Sequence, residues 1–188
     1  HIESLENHAW PKPTEQIYGF KLVIRLKQTG TIKKHLLPHS EVVFEFLDYP
    51  GEWITDMPML NKTFSQWSDS AWAQQMAEPQ IYYAKEWQQF IKDFNFDLIP
   101  DDKNVAKVVS AYRSYLQNAK SGGISLLQPG SFLISGSEFD WKKQGFAPLP
   151  TQVTSDPSNP WNQLFSNNYQ VFLEQWLKPL KENSFKES

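Results

Sequence analysis

The 188-residue chain contains no cysteine. That excludes disulfide staples, iron–sulfur clusters, Cys-ligated zinc and a thiol nucleophile. It suits a reducing compartment, although secreted proteins can also lack the residue. Glycine is scarce at 8 residues against 13 prolines, which excludes a collagen-like or Gly-rich flexible chain. Positive charge is short as well: 18 Lys and Arg face 21 Asp and Glu, for a net charge of −3. Neutralising phosphates requires a basic face, so nucleic acid is not an expected partner. The only basic cluster, Lys33-Lys34-His35, reads as solvated loop. The histidines His1, His8, His35 and His39 are scattered over N-terminal and loop sequence, and Pro38 argues against a helix between the last two. No metal site is built on them. No stretch approaches 18 consecutive apolar residues, so no transmembrane segment is expected. The start, His1-Ile2-Glu3-Ser4, has neither the basic nor the apolar region of a signal peptide and reads as an internal start. Neither a Gly-x-Ser-x-Gly elbow, a Gly-x-x-x-x-Gly-Lys-Ser/Thr phosphate loop nor an Asn/Thr-Lys-x-Asp guanine-reading motif occurs. Ser135-Gly136-Ser137 reads as a turn.

What the chain has in quantity is aromatic side chains: 13 Phe, 8 Trp and 7 Tyr, or 15 %. With 40 % hydrophobic residues, the chain can form a core rather than remain disordered. Residues 1–16, broken by Pro11 and Pro13, read as an irregular lead-in. Strict alternation then sets Phe20, Leu22, Ile24 and Leu26 on one side and Lys21, Val23, Arg25 and Lys27 on the other, a half-buried strand. Glu41–Leu47, rich in Val and Phe, is a second strand. The short connection favours antiparallel pairing. After Pro50-Gly51 the pattern turns helical. Leu60, Phe64, Trp67, Ala71 and Met76 are expected on one face, and Tyr83, Trp87, Phe90, Ile91 and Phe94 on the next helix. Asp101-Asp102 reads as an N-cap rather than an acid–base pair. The helix it opens, carrying Val105, Val108, Val109, Tyr112, Tyr115 and Leu116, is expected to end at Ser121-Gly122-Gly123. Residues 124–134 read as two short extended pieces around Gln128-Pro129-Gly130, and residues 135–160 as loop. A final helix is expected from Trp161 to Leu180, ended or kinked by Pro179. A strand hairpin followed mostly by helices is a mixed α+β chain or part of an α/β domain.

One segment stands out chemically: Leu47-Asp48-Tyr49-Pro50-Gly51-Glu52-Trp53. An acid ends an apolar strand, at the sheet edge where ligands gather in open sheets. A carboxylate there can hold a Mg²⁺-bound water. A glycine three residues on can present its backbone N–H to a terminal phosphate, since no Cβ blocks the approach. Asp and Pro-Gly are also ordinary choices at a strand-to-turn junction.

The wider context of this segment carries a resemblance. Asp48 to Leu60, read as DYPGEWITDMPML, followed by Phe64-Ser65-Gln66-Trp67-Ser68, resembles the DYPGEWLLDLPLL…YxxWS pattern of the YcjX-like family of bacterial stress-associated P-loop GTPases. Trp10-Pro11-Lys12-Pro13-Thr14 resembles that family's WPxRT element, and Tyr115 through Phe132, with Ser125-Leu126-Leu127-Gln128-Pro129-Gly130, its YL…LSLLQPGRF segment. The resemblance implies an α/β fold: part of a Ras-like P-loop NTPase sheet, contributing an antiparallel strand pair, with a large added helical region. Residues 1–56 would hold the strand hairpin and switch turn of the GTPase core, and residues 57–188 the helical part. The phosphate loop is expected before His1 and the guanine-reading motif after Ser188.

On the same ground, the intact protein is expected to bind and hydrolyse GTP to GDP with Mg²⁺. Asp48, Tyr49, Pro50 and Gly51 would form the turn that senses Mg²⁺ and the γ-phosphate, with Asp48 reaching the metal through water. Thr14 would be the first-switch threonine on Mg²⁺. Glu52 stands where many small GTPases place a water-orienting Gln. Lys12 replaces a frequent Arg, and with it a bidentate phosphate fork is lost. Family analogy also points to stress-response association, cytoplasmic residence and an unidentified protein partner, including one at the inner face of the membrane. The alternative is a non-catalytic helical protein-interaction module. The tryptophans Trp67, Trp72, Trp87 and Trp176 read as packing residues, with transmission of the turn's state to a partner as the functional reading. Carbohydrate binding through exposed Trp rings is a third, weaker expectation.

Overall fold

The computed structural model describes residues 18–27, 39–48, 51–134 and 144–178. Thr14, Lys12, Tyr49, Pro50, Lys33-Lys34-His35, Ser135-Gly136-Ser137 and Pro179 lie outside these residues. The chain divides into two compact units, His1–Gly51 and Glu52–Ser188. The described residues make a mixed, mostly helical structure with one two-stranded antiparallel sheet.

Alternation dictates the sheet. Strands β1 (Tyr18–Lys27) and β2 (His39–Asp48) pair from Tyr18 opposite Asp48 to Lys27 opposite His39. Because directly opposed residues share a face, Phe20/Phe46, Leu22/Phe44 and Ile24/Val42 line one side. Phe20 and Phe46 stack with centroids 4.6 Å apart. The other side carries Lys21 against Glu45 at 3.5 Å and Arg25 Nε donating to Glu41 Oε1 at 2.7 Å. Each of these solvent-exposed pairs is worth roughly a few tenths of a kcal/mol. Antiparallel pairing is as expected, but half-burial is not. The apolar face stays exposed, Phe20 at 63 %, because the described residues of this unit supply no second layer.

The helical unit opens with α1 (Gly51–Asp56), which runs into a 3-10 turn at Met57–Asn61. Helix α2 (Phe64–Gln75) starts on a capping box: Gln66 N donates to Thr63 Oγ1, and Thr63 N donates to Gln66 Oε1. Steps of four from Trp67 and Ala71 reach Gln75, not Met76. Met76 therefore lies outside the expected face and is exposed, while Gln75 is buried. Helix α3 (Ile81–Asp93) buries Ala84, Trp87 and Ile91. Helix α4 (Asp102–Ser121) begins where Asp101 Oδ1 accepts from Asn104 N at 2.6 Å, so this carboxylate is a cap as expected. It ends at Gly122 and Gly123, the latter at φ +90°, a left-handed backbone that glycine adopts without steric cost.

Within the segment expected to be loop, Thr151–Thr154 forms a short helix, α5. Helix α6 (Pro160–Phe172) is capped by Asn159 Oδ1 accepting from Trp161 N, with Pro160 in its first turn. It passes into a π-helical turn at Leu173–Leu177.

Aromatic rings fill the core between these helices. Trp67 lies 5.1 Å from Phe146 and 5.6 Å from Tyr169, while Trp87 lies 5.0 Å from Tyr112, all centroid to centroid. Trp67, Trp87 and Trp161 are buried, and Trp53, Trp72 and Trp176 half-buried. No described Trp ring is exposed in the way that sugar stacking requires. The indole N–H groups of Trp67 and Trp87 and the Gln75 amide are buried without a hydrogen-bond partner among the described residues.

The extended pieces expected over residues 124–134 are absent. Gly130–Leu133 instead forms a 3-10 turn. Its backbone has no strand to pair with and is satisfied by side chains: Gly130 N and Ser131 N donate to Asp56, and Arg113 Nε donates to Phe132 O.

Candidate functional site: the turn after β2 and its seam

Alternation carries β2 to its last residue, Asp48, which is exposed and opposite Tyr18. Gly51 opens α1. A Cβ built there meets nothing within 4 Å among the described residues, and its φ is not left-handed. Neither local packing nor backbone conformation demands glycine at this position.

Glu52 occupies the first turn of α1 and pairs with Lys120 in the last turn of α4, Oε1 to Nζ 2.5 Å. Burial pushes its carboxyl up. The Lys120 hydrogen bond, its own backbone N–H and the Lys120 charge outweigh that, and the net effect is downward.

Behind Glu52, α1 is fastened to the Gln128–Ser131 turn. Thr55 Oγ1 donates to Glu52 O at 2.7 Å, and Gln128 Nε2 donates to Thr55 O at 2.6 Å. The Asp56 carboxylate, fully buried, accepts at Oδ1 from Gly130 N (2.7 Å) and at Oδ2 from Ser131 N (3.0 Å) and Ser131 Oγ (2.8 Å). Tyr112 OH donates to Gln128 O at 2.6 Å, tying α4 to the same turn. Gly130 makes the close approach feasible: a Cβ there would stand 2.5 Å from Glu52 O and 2.6 Å from Thr55 Oγ1. Burial pushes the Asp56 carboxyl up to about 7 against its three hydrogen bonds, and the nearby Glu52 charge adds to the rise. Burial likewise pushes up the Tyr112 and Tyr169 hydroxyls, with the Asp56 charge contributing at both.

Of the sequence-predicted site residues, the structure describes Asp48 and Gly51 at the strand-to-helix junction and Glu52 in its ion pair. Sequence reasoning missed Lys120, Asp56 and the docking of residues 52–56 on residues 127–131. The available signal for Asp56 was an acid that, with Thr55, interrupts the apolar run from Trp53 to Leu60. Lys120 gave none. Among the described residues, no group of three or more His, Asp or Glu could hold a metal ion by itself. No described helix is long and apolar enough to cross a membrane.

The whole chain, residues 1–188, matches the sequence profile of the YcjX-like family, DUF463. It is similar to the Ras-like GTPase YcjX of Escherichia coli (strain K12), 31 % identical over 143 residues that cover 76 % of this chain and 30 % of that protein. It is also similar to the Ras-like GTPase YcjX of Shewanella oneidensis, 22 % identical over 187 residues that cover 94 % of this chain and 38 % of that protein. The chain thus spans about a third of the length of the curated relatives it matches.

Proposed function

The chain belongs to the YcjX-like family, and we propose that it supplies the phosphate-sensing turn and helical region of a switch protein that binds and hydrolyses GTP. The observation that carries this reading is the place of Asp48 and Gly51: a carboxylate at the last residue of β2, and three residues later a glycine where helix begins. The relatives' description as Ras-like GTPases supports it. In this reading β1 and β2 are two strands of a Ras-like P-loop NTPase sheet, with residues 57–188 a helical addition. The exposed Phe20, Leu22, Ile24, Phe44 and Phe46 are then the face that the rest of that core covers.

Each residue of the turn has a separate task. The Gly51 N–H, unshielded by a Cβ, reports whether a terminal phosphate is present. Asp48, with Thr14, would hold Mg²⁺, the former through water. A single described carboxylate fits a Mg²⁺ that keeps most of its shell as water and phosphate oxygens. When bound, the metal neutralises charge that develops on the phosphates. Tyr49 and Pro50 lie between Asp48 and Gly51 in the sequence. Glu52 is the candidate to orient the attacking water, for which its carboxylate must leave Lys120. Such turns order and release with the γ-phosphate. The same reading places the protein in the cytoplasm in a stress-associated role, with a peripheral contact to the inner membrane through a protein partner.

The test is GTP turnover by the full-length protein. Asp48→Ala should lower it at least 100-fold and weaken its Mg²⁺ dependence. Unchanged turnover and unchanged Mg²⁺ dependence would refute the assignment. A second reading, a non-catalytic interaction module, is favoured by the separate aromatic core of the helical unit. It predicts a partner whose binding is indifferent to Asp48→Ala.

A further inference from the structure

We propose that residues 52–56 form a latch within the helical unit: side-chain catches, chiefly Asp56, hold them to the Gln128–Ser131 turn, and they leave it as one piece while the aromatic core stays folded.

The boundary of the latch lies at Met57. From there on the chain is tied into the core: Met57 and Leu60 pack against it, Met59 is fully buried, and Met59 O accepts from Tyr169 OH at 2.9 Å. Before Met57 the anchoring changes in kind. No side chain of residues 52–56 belongs to the hydrophobic core, and only that of Asp56 is buried. Ile54 is 58 % exposed. Trp53 is half-buried and meets Trp176 edge-on, with centroids 6.2 Å apart and its indole N–H without a partner among the described residues. The remaining ties are polar. Lys120 pairs with Glu52, Gln128 Nε2 donates to Thr55 O, and Asp56 accepts from Gly130 N, Ser131 N and Ser131 Oγ.

Polar and apolar anchors resist opening differently. Releasing residues 52–56 uncovers little apolar surface, so the burial that keeps the core shut hardly opposes it. Each hydrogen bond lost is exchanged for one to water, and its net worth is a fraction of its strength in isolation. The short length makes the release all-or-none. A helix of six residues does not stand alone in water, because fixing its first turn costs more than so few backbone bonds return. When Asp56 leaves its donors, α1 therefore unwinds, and the placement of Thr55 and Glu52 goes with it. On the other side, Gly130 N and Ser131 N have no acceptor but Asp56 among the described residues, so the same event frees both amides. Two segments more than 70 positions apart thus open together. A rigid brace, the competing role for these contacts, would open only when the whole unit unfolds.

The experiment is native-state amide hydrogen exchange of the full-length protein, at urea concentrations below its unfolding transition. Mass spectrometry follows peptides spanning residues 52–57, 129–133 and, within α4, 105–112. The first two should exchange through one common opening, about 100-fold faster than the third and almost independently of urea, because little surface is exposed. The α4 peptide should instead follow the steep urea dependence of global unfolding. Asp56→Asn keeps the side chain's shape but turns one acceptor into a donor. It should speed both latch peptides by the same factor, about tenfold, with their weak urea dependence kept. One rate and one urea slope for all three peptides would overturn the proposal. So would unequal opening of the first two, or a response to Asp56→Asn confined to residues 129–133. Should Asp56→Asn fail to fold, the wild-type rates and slopes decide alone.

Discussion

Replacing Asp56 with alanine removes the acceptor for three donors at once: Gly130 N, Ser131 N and Ser131 Oγ. Two of these are backbone N–H groups that cannot turn away, and a buried donor left without a partner costs about 1–3 kcal/mol. A loss of about 3–5 kcal/mol is therefore expected when Asp56→Ala is measured near pH 5, where the wild-type carboxyl is mostly protonated. The pH dependence gives a second handle. Burial raises the Asp56 pKa from 3.8 to about 7, roughly three units, or about 4 kcal/mol of differential stability. The folded state holds this proton more tightly than the unfolded chain does. Stability from this group is therefore full below about pH 4, falls as pH rises and is lost once pH passes about 7. Glu52 contributes in the opposite sense: its lowered pKa adds stability as pH rises through the acid range. Comparison with Asp56→Asn cancels that shared part. The assay is urea unfolding followed by fluorescence of the buried Trp67, Trp87 and Trp161, from pH 4 to 8, for wild type, Asp56→Asn and Asp56→Ala. The wild type should lose up to about 4 kcal/mol more across that range than Asp56→Asn. A parallel pair of profiles, or a loss below about 1 kcal/mol for Asp56→Ala, would refute the account of the seam.

Gly130→Ala should destabilise the helical unit by about 1–3 kcal/mol, because the added methyl meets Glu52 O and Thr55 Oγ1 well inside contact distance. A thermal melt unchanged from wild type would contradict it. Tyr169→Phe deletes a buried hydroxyl that donates to Met59 O at 2.9 Å and lies 3.2 Å from Lys62 O. The expected loss is about 1–2 kcal/mol, seen as a lower urea midpoint with an unchanged slope.

The strand pair was legible because alternation has a period of two and the opposing residues match: Phe20 with Phe46, Lys21 with Glu45, Arg25 with Glu41. Helices α3 and α4 were legible from spacing and from their ends, Asp101 and Gly122-Gly123. Spacing failed where Met76 looked apolar enough to be inside while the geometry buried Gln75. Apolar character alone also misread residues 124–134. Their backbone is satisfied by a carboxylate 74 positions earlier, and no local pattern encodes such a partner. For the candidate site, the sequence showed Asp48, Gly51 and Glu52 as neighbours along the chain. It did not show that Glu52 has a cation at hand, because Lys120 looks like any other lysine near a helix end.

The contact between Tyr169 and Met59 joins residues 110 positions apart, and α2 packs on α6 across a similar span. During synthesis at about 5–20 residues per second, Met59 waits about 5–20 s for its partner to emerge. The β1–β2 hairpin needs only neighbouring sequence and can pair within about 1–10 μs. Early and late halves of the chain therefore mature on different clocks. For those seconds the apolar side of α2 has no sixth helix to lie against, which makes the nascent chain, rather than the finished protein, a natural client for chaperones.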